Sequence, residues 1–222
     1  MSTDSMVLGA VAELEGAMNI LDIGTGTGVL ALMMAQKHPE ALIDAVEIDL
    51  DSASEARENF DGSPWDYRLN CYAESFHDFI RDETLHYDLI VSNPPYFEAI
   101  STEKGNNKEW PEERRRDART RSSLTFDGLL EGVARVLVSY GRFYVILPNQ
   151  AVEAFIQEAF GMNIFLFYRL NVQHDAGSEI HRVILGFHKT VGEMSKKVLI
   201  LRDANGNWTK AYEDLTSDFH AN

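Results

Sequence analysis

The tetrapeptide Asn93-Pro94-Pro95-Tyr96 follows an apolar run that ends at Val91. Consecutive prolines cannot continue a sheet ladder, so the chain turns sharply at the end of the predicted strand. The side-chain oxygen of Asn93 and the carbonyl of Pro94 are two rigidly held acceptors, and Tyr96 offers a flat ring for stacking. Two acceptors can each bind one N–H of an exocyclic amine and direct its lone pair. The turn therefore predicts a site that orients a planar amine for group transfer to its nitrogen.

A glycine-rich loop, Asp22-Ile23-Gly24-Thr25-Gly26-Thr27-Gly28, lies between the first predicted strand and the helix after it. Glycine at alternate positions lets the backbone approach a ligand closely, and the following helix N-terminus favours polar or anionic groups. Glu47 comes nineteen residues after Gly28, at the end of the second predicted strand. Its carboxylate can accept hydrogen bonds from both hydroxyls of a ribose. The pattern predicts a nucleotide-like cofactor, and it lacks the lysine of a Walker loop.

The cofactor is left open by the glycine loop itself, because NAD and S-adenosylmethionine both carry a ribose that suits Glu47. Two other features favour S-adenosylmethionine. A predicted antiparallel pair of final strands does not belong to a simple dinucleotide fold, and the Asn93 turn has no role in hydride transfer. A sulfonium already activates its methyl group, so positioning in line can carry much of the catalysis. The simpler alternatives are a loop that only packs helix on strand and prolines that only end a strand.

The rest of the chain predicts the scaffold for these motifs. Strands alternate with helices, which is typical of an α/β, Rossmann-like, doubly wound sheet. The last two predicted strands, 164–172 and 182–188, are joined by a polar link too short for a crossover, so they should pair antiparallel. We predict a seven-stranded, mostly parallel sheet in a domain of residues 1–189. Residues 190–222 should extend that domain with a strand, a turn and a helix.

Charge and composition limit the possible partners. The chain has 222 residues and a net charge of −15, which argues against indiscriminate nucleic-acid binding. Residues 103–121 differ, with seven Lys or Arg against five Asp or Glu. The single cysteine, Cys71, cannot alone form a disulfide or a metal site. No apolar run reaches the roughly 18 residues of a membrane span, and no signal peptide is evident. We therefore expect a cytoplasmic, metal-free protein, with a monomer favoured.

In this order the motifs resemble those of class I S-adenosylmethionine-dependent amino-methyltransferases. More closely, the chain resembles the bacterial valine-tRNA adenine-N6 methyltransferases, which modify the adenine 3′ of the anticodon. The resemblance runs nearly from end to end. Besides the glycine loop, Glu47 and the Asn93 turn, it is carried by Thr3 to Ala10, Ser63-Pro64-Trp65, Ala73-Glu74, Ala118-Arg119, His181-Arg182-Val183 and Ala211 to Thr216.

The resemblance implies a role for each matching residue. The catalytic turn that holds a flipped adenine would be Asn93, Pro94, Pro95 and Tyr96. Cofactor contacts would come from Asp22, Gly24, Thr25, Gly26, Gly28, Glu47, Ile48, Ala73 and Glu74. Within that set, Asp22 would lie near the methionine end, Glu47 at the ribose and Glu74, where aspartate is usual, at the adenine amine. Contacts to valine tRNA would come from Phe97, Arg114, Arg115, Arg116, Arg119, Arg121, His181 and Arg182.

Three alternatives share part of this pattern. Release-factor glutamine methyltransferases also carry Asn-Pro-Pro-Tyr, usually with a separate N-terminal helical domain, and a glutamine amide presents the same two N–H groups. Guanine-N2 methyltransferases of ribosomal RNA are similar, typically with phenylalanine in the fourth position of the turn. The third alternative is a non-catalytic module that only binds a cofactor or RNA. Pure binding does not need a turn that orients an amine, and this favours an enzyme.

Overall fold

The structure, a computed structural model, describes residues 2–81, 84, 86–94 and 124–219. Its strands are β1 (Asn19–Ile23), β2 (Leu42–Val46), β3 (Leu69–Tyr72), β4 (Tyr87–Ser92), β5 (Leu137–Pro148), β6 (Phe165–Gln173), β7 (Ile180–His188) and β8 (Ser195–Ile200). Its α-helices are α1 (Thr3–Val11), α2 (Val29–Lys37), α3 (Leu50–Asp61), α4 (Phe76–Phe79), α5 (Phe126–Val136), α6 (Val152–Gly161) and α7 (Lys210–Thr216). Short 3₁₀ helices lie at Asp66–Arg68, Asn149–Ala151 and Ser217–Phe219.

The strands form one sheet in the order β3-β2-β1-β4-β5-β7-β6-β8. The strands from β3 to β5 run parallel, and β7 runs antiparallel to both of its neighbours, β5 and β6. The predicted fold class, with its antiparallel final hairpin, is confirmed. The described part of the sheet has eight strands where seven were predicted, because β8 pairs in parallel with β6. It thereby satisfies backbone groups that an open edge at β6 would leave unpaired.

Two helical layers cover the sheet. Helices α1, α2, α3 and α7 pack on one face, and α4, α5 and α6 pack on the other. Successive side chains of each strand point to opposite faces of the sheet, so each strand contributes residues to the apolar core on both faces. In β1, for example, Ile20 belongs to the first cluster, while Leu21 and Ile23 belong to the second. The parallel strands are therefore buried on both faces, and their carboxyl ends converge at one edge.

A cap at Thr3 or Asp4 and a glycine at position 16 predict a helix over residues 4–15, and helix α1 is shorter. It ends at Val11, and the ammonium group of Lys37 on α2 donates hydrogen bonds to the carbonyls of Gly9, Ala10 and Ala12 at 3.2, 3.0 and 2.6 Å. These carbonyls would otherwise need further helical turns or water. A cation at the C-terminus also interacts favourably with the helix dipole. Tertiary contacts thus set the end of α1.

The tail packs back onto the same layer as α1. Tyr212 of α7 is buried in the first core cluster and stacks on Trp208, with ring centroids 4.2 Å apart. Gln36 of α2 donates to the backbone carbonyl of Asp218. The tail therefore shares its apolar core with α1 and α2. Among the described residues, no helix is both long enough and apolar enough to cross a membrane.

Candidate active site

A cavity of about 830 Å³ opens at the carboxyl ends of β1, β2 and β4. Ligands of doubly wound sheets bind at this edge. The sequence-predicted residues that line the cavity are Gly24, Gly26, Glu47, Ile48, Glu74 and Asn93. Four other predicted cofactor-binding residues, Asp22, Thr25, Gly28 and Ala73, are described but are not part of the lining. The cavity thus brings together the glycine loop, the end of β2, the segment that precedes α4 and the start of the proline turn.

The glycine loop is held in its bent form by β2. The N–H groups of Gly24 and Thr25 both donate to the carbonyl of Val46, at 2.9 and 3.1 Å. Gly24, Gly26 and Gly28 have φ angles of +71°, +58° and +87°, a region that residues with side chains rarely adopt. A Cβ atom on Gly28 would lie 2.5 Å from the ring of Phe60, so glycine there also allows α2 to approach α3. Backbone hydrogen bonds and glycine conformations therefore hold the bend of the loop.

Glu47 connects the end of β2 to this loop. Its Oε2 accepts a hydrogen bond from the N–H of Gly26 at 2.9 Å, and its Oε1 accepts one from the N–H of Asp49 at 2.9 Å. Each oxygen of an ionised carboxylate can accept a further hydrogen bond. The carboxylate is therefore fixed at the cavity wall and can still accept from ligand hydroxyls.

Asp22 lies beneath the loop, away from the cavity. Its Oδ2 accepts hydrogen bonds from the hydroxyl of Thr25 at 2.6 Å and from the N–H of Ala31 at 3.1 Å. Its Oδ1 is buried and has no hydrogen-bond partner among the described residues. Burial raises the pKa of this carboxyl to about 7, with a smaller rise from the charge of Glu47, although the two hydrogen bonds oppose the shift. Asp22 thus ties the loop to the start of α2 from below.

Helix α5 adds a wall of the cavity that the sequence analysis missed. Thr125 caps α5 by accepting from the N–H of Gly128 at 3.1 Å, and both residues line the cavity together with Gly132. A Cβ atom on Gly132 would lie 2.3 Å from the ring of Phe76, so this glycine lets α5 pack closely on α4. A capping threonine followed by two glycines four residues apart was the available signal.

Asn93 stands where β4 meets the cavity. Ser92 pairs with Ile23 in the sheet and donates from its hydroxyl to the Ile23 carbonyl at 2.8 Å, which joins the end of β4 to the start of the glycine loop. The half-buried Asn93 donates from Nδ2 to the hydroxyl oxygen of Ser5 at 3.1 Å, and Pro94 is buried. The remaining predicted residues of this region, Pro95, Tyr96, Phe97, Arg114, Arg115, Arg116, Arg119 and Arg121, lie outside the described residues.

His181 and Arg182 lie at the amino end of β7. Because β7 runs antiparallel to β5, with Arg182 opposite Pro148, this end reaches the same edge of the sheet as the cavity. Arg182 donates from Nε to Oδ2 of Asp4 on α1 at 2.8 Å, and from Nη1 to the carbonyl of His181 at 3.3 Å. His181 is exposed. Within the described part of the chain, no cluster of His, Cys, Asp and Glu could hold a metal ion.

Solved structures with a similar fold include proteins described as methyltransferases. A protein described as a predicted O-methyltransferase from Agrobacterium tumefaciens aligns with a TM-score of 0.76 over 99% of this chain and 98% of its own, at 18% identity. TrmN from Thermus thermophilus aligns with a TM-score of 0.59 over 84% of this chain and 48% of its own, also at 18% identity. At these identities the similarity shows the fold alone.

Sequence relatives identify the family. Residues 4–110 match the family model described as methyltransferase small domain. The tRNA1(Val) (adenine(37)-N6)-methyltransferase of Citrobacter koseri is 37% identical over 98% of this chain and 86% of its own length. The enzyme of the same name from Serratia proteamaculans is 38% identical over 98% and 82%. The chain therefore belongs to the tRNA1(Val) (adenine(37)-N6)-methyltransferase family.

Proposed function

We propose that this chain transfers a methyl group from S-adenosylmethionine to the exocyclic N6 amine of an adenine in tRNA, specifically adenine 37 of valine tRNA. One observation carries the proposal: the amide of Asn93 and the carboxylate of Glu47 line the same cavity. A group suited to orienting an amine thus lies beside a group suited to binding a ribose. The names of the curated relatives supply the nucleoside, the position and the tRNA.

The residues that line the cavity fit the cofactor. The carboxylate of Glu47 can accept from the two ribose hydroxyls, and the carboxylate of Glu74 can accept from an adenine amine. Gly24 and Gly26 leave the backbone bare: a Cβ atom built on either would meet nothing within 4 Å. When bound, S-adenosylmethionine supplies a methyl group activated by its sulfonium. Asp22, Thr25 and Gly28 support the glycine loop from behind the lining, and Ala73 directly precedes Glu74.

The chemistry assigned to the turn is orientation. The Oδ1 of Asn93 and the carbonyl oxygen of Pro94 would each accept one N–H of the adenine amine, which directs the nitrogen lone pair toward the methyl carbon. Pro95 would fix this geometry, and Tyr96 would stack on the flipped base, a contact worth about 1–3 kcal/mol. S-adenosylmethionine held in this cavity would supply the methyl group to the amine nitrogen and would leave as S-adenosylhomocysteine. The nitrogen would give up one proton to water, so the chain's own residues need only orient the amine and no base with a shifted pKa is required.

Contacts to tRNA fit the charge distribution. The chain is acidic overall, but residues 103–121 concentrate arginine just after the proline turn. We propose that Phe97, Arg114, Arg115, Arg116, Arg119 and Arg121 contact the RNA near the flipped base, together with the exposed His181. Because phosphate contacts release counterions, replacing Arg114, Arg115 and Arg116 together by glutamine should weaken tRNA binding and flatten its salt dependence. Such an enzyme would act in the cytoplasm.

A methylation assay tests the proposal. The protein is incubated with labelled S-adenosylmethionine and unmodified tRNA, and the nucleosides of the product are analysed. We expect N6-methyladenosine at position 37 of valine tRNA. Label in a release factor or in ribosomal RNA, with none in tRNA, would support methyl transfer to an amine but would contradict the assignment of tRNA as the substrate. Cofactor binding without transfer to any acceptor would favour a binding module instead.

A further inference from the structure

The first turn of α1 contacts two elements at the edge of the cavity. The carboxylate of Asp4 pairs with Arg182 at the start of β7, with 2.8 Å between Oδ2 and Nε. The next residue, Ser5, accepts a hydrogen bond from Nδ2 of Asn93 at 3.1 Å. Its Oγ also lies 3.1 Å from the hydroxyl of Ser2, the N-cap of α1. Through Asp4 and Ser5, the first turn of α1 thus connects β7 to the side-chain amide of Asn93, the group proposed to bind the adenine amine.

The position of α1 is set by its surroundings. A helix of nine residues is marginal on its own. Here Met6, Val7 and Leu8 are buried in the core, and Lys37 binds the carbonyls at the other end of the helix. An element held in this way can hold another group in turn, because its first turn cannot shift without breaking core contacts.

The amide of Asn93 needs such support. Its oxygen and its NH₂ group have nearly the same shape, but only the oxygen can accept from an amine. If the amide of Asn93 were rotated by half a turn, its own N–H groups would face the N–H groups of the adenine amine, and no hydrogen bond could form. With Nδ2 donating to Ser5, the oxygen lies on the opposite side of the amide from Ser5. A defined orientation before binding lowers the barrier to transfer, since the acceptor need not be reoriented.

We propose that Asp4, Ser5 and Arg182 form a positioning latch for Asn93: the ion pair seats the first turn of α1, and the Ser5 hydroxyl oxygen accepts from Nδ2 and so holds the amide in place. The inference rests on the proposed function. It gives Arg182 a role different from the tRNA contact implied by the family resemblance. Its guanidinium already faces a carboxylate, which offsets the positive charge that a phosphate would need.

Steady-state kinetics separate these two roles. The variants are Asp4→Asn, Arg182→Gln, their double variant, Ser5→Ala and Ser5→Thr, each assayed at several salt concentrations. For a latch, each single removal lowers kcat about three- to tenfold, the effect of one net hydrogen bond. KM for tRNA and its salt dependence stay unchanged. The kcat of the Asp4→Asn, Arg182→Gln double variant is no lower than that of the less active single variant. Ser5→Thr keeps the hydroxyl and therefore keeps the wild-type kcat.

A matched control removes an ion pair elsewhere. Arg169 on β6 pairs with Glu153 on α6 at 2.9 Å, and Glu153→Gln should leave kcat unchanged. A rise in KM and a flatter salt dependence for Arg182→Gln, with Asp4→Asn equal to wild type, would overturn the latch in favour of phosphate binding. Ser5→Ala with wild-type kcat would overturn it as well. The kinetics use whichever acceptor the wild type methylates, so failure of the tRNA assignment remains distinguishable from failure of the latch.

Discussion

The backbone N–H of Gly26 donates a hydrogen bond to Oε2 of Glu47, with 2.9 Å between nitrogen and oxygen, so the end of β2 holds the middle of the glycine loop. The other carboxylate oxygen of Glu47 accepts from Asp49, the N-cap of α3. One side chain therefore fixes two backbone segments at the wall of the cavity. We assign to the same carboxylate the hydroxyls of the cofactor ribose.

Glu47→Gln should weaken cofactor binding more than it weakens the fold. The amide keeps the shape of the side chain but replaces one acceptor oxygen by a donor, which opposes the N–H of Gly26 or of Asp49 and removes one acceptor for the ribose hydroxyls. Loss of a hydrogen bond to a charged group costs about 1.5–3 kcal/mol, so we expect the Kd for S-adenosylhomocysteine to rise roughly tenfold or more. Isothermal titration calorimetry measures this Kd. The exposed Glu55 on α3 provides the control, since Glu55→Gln should bind like wild type.

Asn93→Ala should abolish turnover and spare cofactor binding. Removal of one preorganised group that acts in the transition state costs about 100- to 1000-fold in kcat. Rapid-quench methylation with tRNA in excess measures the rate of transfer, and calorimetry measures the Kd for the cofactor. Near-wild-type turnover in this variant would show that Asn93 does not orient the amine.

Alanine variants at three glycines with positive φ angles distinguish the cost of backbone strain from the loss of a ligand contact. Gly26→Ala and Gly16→Ala should each cost about 1–2 kcal/mol of unfolding free energy, since a Cβ atom at either site meets nothing within 4 Å. Only Gly26→Ala should also weaken cofactor binding, because only Gly26 lines the cavity. Gly28→Ala should cost more, about 2–4 kcal/mol, because its Cβ atom would also overlap Phe60. Urea unfolding measures the three costs, and equal losses for all three would contradict this order.

The buried carboxyl of Asp22 should make stability depend on pH. Its pKa is about 7 in the folded protein and ordinary in the unfolded chain, so the folded state binds the additional proton between about pH 4 and 7. Its contribution to stability is complete below the unfolded pKa and is lost as pH rises through 7. We expect the unfolding free energy of wild type relative to Asp22→Asn to fall with pH in this window. The slope approaches about 1.4 kcal/mol per pH unit. A difference that stays constant from pH 5 to 8 would contradict the raised pKa.

Most of the fold could be predicted from local patterns. The alternating strands and helices, the short link before β7 and the Asn205-Gly206 turn each have sequence signals that depend on neighbouring residues only. The glycine loop and Glu47 were identifiable because backbone geometry and parallel-strand topology fix where such residues must meet. The eighth strand of the sheet was the exception, since pairing of β8 with β6 depends on which edge remains open.

By itself, the sequence predicted which residues could bear the chemistry and the edge of the sheet at which they gather. Only the tertiary structure decided the direction of their side chains and the identity of their partners. Asp22 belongs to the glycine motif, yet it points under the loop to Thr25 and Ala31. Ser5 and Asn93 are 88 positions apart in the chain and are hydrogen-bonded in the fold. The physical reason is that motif spacing fixes backbone position, whereas side-chain partners are set by packing between elements distant in sequence.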